Sequence, residues 1–163
     1  MKGIADTGFL VAFARSRDMH HDWATRVAEE VTEPLLTCEA VLAETAFHLN
    51  NVGIVLEMIG DELVRLSFDC NDHLPQLADL AKRYADRQPD LADLCLIRMS
   101  ELYPHHRVIT ADKDFRVYRR NKREVIPLIC PPRIRTRHGT SPRYRFSPRL
   151  PARVRGGLAL CRS

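Results

Sequence analysis

A chain of 163 residues with 45% hydrophobic and 28% charged residues can bury one substantial core, is too short for two full domains and too apolar to remain unfolded. The net charge of +4 suggests a nucleic-acid partner only until its distribution is read. Nine of the 25 Lys and Arg lie in residues 131–163, which contain no acid, leaving 16 basic against 21 acidic residues in 1–130.

The apolar run 8–14 falls far short of the roughly 20 residues of a membrane span, and residues 1–6 lack the progression of a secretory signal. A cytoplasmic protein without a membrane segment is therefore expected. The five cysteines, Cys38, Cys70, Cys95, Cys130 and Cys161, are scattered and never form a C-x-x-C pair, so they read as reduced packing residues. The doublets His20-His21 and His105-His106 are poor zinc ligands, because adjacent side chains usually face opposite ways.

In chain order, short apolar runs at 3–5, 35–37, 64–68, 108–110 and 125–128 predict strands. Amphipathic patterns at 7–15, 20–32, 38–50, 52–60, 72–86, 90–102 and 113–120 predict helices. Strands alternating with helices predict an α/β domain around a mostly parallel sheet of about five strands. In 90–102, Leu91, Cys95, Met99 and Leu102 recur at helical spacing, widened by Leu94 and Ile97, which predicts a largely buried helix. Beyond Pro131-Pro132 the pattern gives way to Arg, Pro, Ser and Gly without periodicity. A domain of 1–130 and a tail of 131–163 lacking regular structure are expected. The tail reads either as an arm that attracts RNA phosphates or as an incidental extension.

Several carboxylates stand where ligands bind in such a sheet. Asp6 follows the first strand, at the carboxyl edge, where it could equally serve as a helix cap. The triplet Asp6-Thr7-Gly8 is also the signature of aspartic proteases, but that fold is nearly all β and the helices here contradict it. Glu44 shares a helix face with Val41 and Phe47 and should point inward, whereas Glu39 reads as a helix-start acid. Asp93 lies below Leu96 and Ile97 and should also face the core; Asp90 can join it or cap the helix. Asp112 and Asp114 follow the strand 108–110, and either could cap the next helix, with Asp112 the nearer to the strand.

An ionised carboxylate facing a core costs several kcal/mol unless something compensates it, and no set of basic residues stands beside these four. A divalent cation would do so, and oxygen-only ligands select Mg²⁺ or Mn²⁺. Such a site can activate water for attack on a phosphodiester. Thr7 and Thr110 can hydrogen-bond a carboxylate or a metal-bound water. Arg98, Arg116, Arg119 and Arg120 are candidate phosphate contacts or a solvated face. No G-x-S-x-G, phosphate loop or Cys–His pairing offers a competing set.

Taken in order, Ile4-Ala5-Asp6-Thr7-Gly8-Phe9-Leu10, Leu36 to Glu44, Pro89-Asp90-Leu91-Ala92-Asp93 and Thr110 to Phe115 resemble a PIN domain, and more narrowly the VapC-type toxins of toxin–antitoxin pairs, over about residues 1–130. The resemblance implies a three-layer α/β/α fold and a Mg²⁺- or Mn²⁺-dependent endoribonuclease acting on tRNA or rRNA. It implies a homodimer and a cognate antitoxin. It places the acidic ligands at Asp6, Glu44, Asp93 and Asp112, with Asp90 and Asp114 in support. Gly8 departs from the pattern, since many relatives carry a hydroxyl there, and the arginine tail has no counterpart. The alternatives are an RNA-processing nuclease without an antitoxin and a catalytically silent RNA- or partner-binding module.

Overall fold

The computed structural model describes residues 1–132, the side chain of Asp114 excepted. The expectations for the tail therefore lie outside the described residues from 133 onward. Residues Met1–Pro131 form one compact unit.

Its centre is a five-stranded, wholly parallel sheet made by β1 (Gly3–Ala5), β2 (Leu35–Thr37), β3 (Val64–Leu66), β4 (Arg107–Ile109) and a last strand, β7 (Leu128–Ile129), in the order β3-β2-β1-β4-β7. Parallel strands need crossover connections, and helices supply them. Helices α1 (Thr7–Ala14) and α2 (His21–Glu29) join β1 to β2, α3 (Glu39–Leu49) and α4 (Val52–Gly60) join β2 to β3, and α5 (Leu74–Arg83) and α6 (Leu91–Leu102) join β3 to β4. The first two crossovers step outward from β1 and the third returns across it. With every crossover right-handed, the returning helices cover the opposite face, which gives three α/β/α layers. None of these helices is long and apolar enough to cross a membrane.

The central strands read as continuous apolar runs because both faces are covered. Ile4, Ala5, Leu35, Val108 and Ile109 have no exposed surface. Gly3 sits opposite Arg107 in the register, and a Cβ there would meet Ile109 Cδ1 at 2.6 Å and Leu35 Cδ2 at 3.0 Å. Both neighbours are fully buried, so their side-chain ends would have to shift within a packed core. Gly3→Ala is therefore expected to destabilise the domain by about 1–3 kcal/mol, the usual cost of overpacking, as a lowered urea midpoint at unchanged slope.

Two regions differ from the sequence reading. The helix expected at 113–120 is a single 3₁₀ turn, Asp114–Arg116, followed by an antiparallel hairpin of β5 (Arg119–Arg120) and β6 (Glu124–Val125). Asn121 and Lys122 adopt left-handed φ values of 48° and 69°, which turns the chain back on itself. Arg120 then bonds Glu124 and the carbonyls of Ser100 and Pro104, fastening the hairpin to the end of α6. Consequently the strand expected at 125–128 divides, with Val125 in the hairpin and Leu128 in the sheet.

In α6, Cys95 and Met99 are buried as expected, but Leu91 is 53% exposed and Leu102 is partly so. The buried residues are instead Ala92, Leu94, Cys95, Leu96, Ile97, Met99 and Ser100, a band wider than one stripe. The middle of this helix is enclosed on more than one side, so its apolar periodicity is blurred.

Candidate active site

The strand order reverses at β1, with β2 on one side and β4 on the other. Open α/β sheets bind ligands at such a switch point, beyond the carboxyl ends of the strands. Asp6 directly follows β1 and Asp112 lies three residues beyond β4, so two of the expected acids flank this point. Glu44 comes from α3 and Asp93 from the first turn of α6. All four line one cleft of about 350 Å³, together with Thr7, Gly8, Asp18, His20, His48 and Asp90. The described lining thus holds six acids and no Lys or Arg.

Asp6 is the most deeply set, 8% exposed. It caps α1, its Oδ1 accepting from the Thr7 amide at 2.7 Å while its Oδ2 accepts from the Thr110 hydroxyl at 2.6 Å. The cap and the cleft role, which sequence reasoning left as alternatives, coexist because the two oxygens divide the work. Burial pushes the carboxyl up to about 6, the two hydrogen bonds partly oppose this, and the charges of Asp112 and Glu44 add to the rise.

Asp93 is half-buried, and burial raises it to about 7, reinforced by the negative charges of Asp90, Asp6 and Asp112. Its Oδ2 accepts from the Tyr118 hydroxyl at 3.3 Å. Burial and the Asp93 charge raise the Tyr118 phenol in turn, keeping it protonated as a donor. Asp90 caps α6 by accepting from the Asp93 amide at 2.8 Å and still lines the cleft.

Glu44 is only half-buried, and Phe47, expected beside it in the core, is 81% exposed. The buried face of α3 runs through Val41, Leu42 and Thr45, which rotates Glu44 to the cleft and Phe47 to solvent. Glu44 Oε2 accepts from the Thr7 hydroxyl at 2.7 Å, and Oε1 lies 3.6 Å from His48 Nε2. Asp112 is exposed rather than buried, and its amide donates to the Thr110 hydroxyl oxygen at 2.8 Å. The side chain of Asp114, expected in support, lies outside the described residues.

Thr110 therefore links two acids, donating to Asp6 and accepting from Asp112. Thr110→Val removes both bonds while keeping the shape, and is expected to cost about 1–3 kcal/mol of stability, read from chemical denaturation. Gly8 has its own reason to lack a side chain, since a Cβ would come within 3.3 Å of Ala111 Cβ and 3.6 Å of Asp6 Oδ2. The missing hydroxyl thus coincides with close approach between α1 and the segment after β4.

Sequence reasoning passed over His48 and Tyr118. The first was legible, standing one helical turn beyond Glu44. The second was hidden, because residue 118 was assigned to a helix that does not form.

Among the described residues, no three of His, Cys, Asp and Glu gather closely enough to hold an ion as they stand. Asp112 is exposed, whereas Glu44 faces the cleft with Oε2 held by the Thr7 hydroxyl. The donor set itself, carboxylate oxygens around a buried Asp6, fits a hard divalent cation.

Comparisons with known proteins bear on the fold and the family. No curated protein sequence matches. Among solved structures, the crystal structure of Mycobacterium tuberculosis VapC20, described as a sarcin-ricin loop cleaving toxin, matches with a TM-score of 0.62 at 21% identity, covering 78% of this chain and 100% of that one. This is a likeness of fold. A model of the PIN domain family matches residues 4–121, from β1 through the acidic cleft to the hairpin turn, and the chain belongs to that family.

Proposed function

We propose that the protein is a metal-dependent endoribonuclease that hydrolyses RNA phosphodiester bonds, acting as the toxin of a toxin–antitoxin pair in the cytoplasm. The observation that carries this reading is the convergence of Asp6, Glu44, Asp93 and Asp112 on one cleft at the topological switch point, where burial and mutual repulsion hold Asp6 near 6 and Asp93 near 7. Uncompensated buried negative charge costs stability unless a cation or strong donors offset it. A divalent cation would supply that offset, and oxygen donors favour Mg²⁺ or Mn²⁺.

The ligands in this reading are Asp6, Glu44, Asp93 and Asp112, with Asp90 and Asp114 in support. A bound cation would supply an activated water and offset the charge that develops on the phosphate. The chain's own hydroxyls do the positioning: Thr110 orients Asp6, Thr7 orients Glu44 and Tyr118 orients Asp93. Each of these hydroxyls donates to one oxygen of its carboxylate.

VapC20 is named for cleaving the sarcin-ricin loop, which supports structured RNA, rRNA or tRNA, as the first substrate to test. A homodimer and a cognate antitoxin complete the reading. The exposed apolar side chains Phe47, Val52 and Leu56 on α3 and α4 support a protein partner. The test is incubation of total tRNA and rRNA with the full chain in Mg²⁺, in Mn²⁺ and in EDTA. Cation-dependent fragments with defined ends are expected. Intact RNA bound by well-folded protein would instead identify a silent RNA-binding module, and cleavage by a chain with no antitoxin encoded beside it would identify an RNA-processing nuclease.

A further inference from the structure

We propose that Cys70 and Cys95 form a redox pair, joined by hydrogen peroxide into a disulfide that ties the loop after β3 to α6. The cysteines that look scattered in the sequence converge in the fold. Cys70 Sγ lies 3.6 Å from Cys95 Sγ, and Cys38, at the N-cap position of α3, is near enough to Cys95 to interact with it electrostatically. All three are free thiols.

The approach of Cys70 to α6 is built into the loop rather than resting on one side-chain rotation. Phe68 is buried and stacks on His73 with ring centroids 4.9 Å apart. The Tyr103 hydroxyl, at the end of α6, donates to the Ser67 carbonyl at 2.9 Å, and Asp69 accepts from the Asn71 amide at 2.8 Å. Residues on both sides of Cys70 are thus pinned, one of them to α6 itself. A disulfide has sulfurs about 2.0 Å apart, so closure needs a movement of about 1.6 Å shared between two side chains.

Exposure sets the order of events. Cys70 is half-buried and reachable by a small oxidant, whereas Cys95 is fully enclosed. The Cys70 sulfur takes one oxygen from peroxide as the O–O bond breaks, giving a sulfenic acid and one water. The Cys95 sulfur then attacks the Cys70 sulfur, the S–S bond forms, and the hydroxyl leaves with the Cys95 proton as a second water. Two thiols lose two electrons and two protons, and peroxide is reduced to water. The bond would anchor α6 two residues beyond Asp93.

The experiment treats the reduced full chain with hydrogen peroxide, alkylates it under denaturing conditions, and maps the peptides by mass spectrometry. A Cys70–Cys95 cross-linked peptide, lighter by two hydrogens than its reduced halves, is expected, with Cys38, Cys130 and Cys161 alkylated. Cys70→Ser should abolish it, and Cys38→Ser should retain it. Complete alkylation after peroxide, Cys70 driven to sulfinic acid without a cross-link, or a disulfide on another pair in the unsubstituted chain would each overturn the proposal. The mapping needs no nuclease activity, so it stands apart from the proposed function.

Discussion

Asp6→Asn is expected to reduce cation-dependent RNA cleavage by on the order of 10²–10³-fold or more while leaving the fold intact. The reasoning starts from the hydrogen bonds. Asn keeps an Oδ1 acceptor for the Thr7 amide, so the cap of α1 survives. Where Asp6 Oδ2 accepts from Thr110, the amide nitrogen of Asn donates, and the Thr110 hydroxyl can turn its proton away. Its oxygen already accepts from the Asp112 amide and has a second lone pair for the new donor. The substitution therefore deletes one charge and costs the buried Thr110 hydroxyl its acceptor, while the cap of α1 is kept. Asp6 interacts electrostatically with Asp112, Glu44 and Asp93, so it is the acid that joins the group. Cleavage time courses at matched protein concentration, with circular dichroism as the control for folding, decide the matter. Cleavage by a folded Asp6→Asn protein at the wild-type rate would remove Asp6 from the machinery.

How far the sequence disclosed this site depended on whether each residue's neighbours lie nearby in the chain. Asp6 was legible because Gly3–Ala5 is an unmistakable buried strand and the acid stands at its end. Asp90 was legible as a cap because Pro89 and the spacing to Asp93 are local. Glu44 lies on the expected helix but at the edge of its buried face, half-buried in the cleft. Whether Phe47 or Thr45 meets the core is decided by which helices pack against α3, a tertiary fact that periodicity does not carry. The hairpin was missed for a similar reason. Phe115 and Tyr118 mimic a helical stripe, yet both are buried because they pack edge to face with ring centroids 5.3 Å apart. The thiols show the same limit, since 25 residues separate Cys70 from Cys95 in sequence and no local pattern announces their meeting.

In EDTA, the wild-type protein is expected to become less stable as pH rises from about 4 to about 7, and Asp6→Asn is expected to flatten that decline. An unfolded Asp titrates near 3.8, whereas folded Asp6 titrates at about 6 and Asp93 at about 7. Between those limits the folded chain holds protons that the unfolded chain has released. The unfolded state then binds fewer protons, so unfolding free energy falls with increasing pH and levels off above the folded values. A rise of this size at a group as buried as Asp6 corresponds to on the order of 2–3 kcal/mol. Asp93 adds less because it is partly solvated, and because the two repel each other they release their protons as a coupled set. Thermal midpoints of the two proteins, taken at half-unit steps of pH in EDTA, should diverge by several degrees toward neutrality, with the substituted protein the more stable. Adding Mg²⁺ should narrow that gap at neutral pH and change little near pH 4, where protonated carboxyls bind cations poorly. Parallel curves for the two proteins would mean that the Asp6 charge is already neutralised by a cation of the chain itself, and the case for a bound metal would lose its principal support.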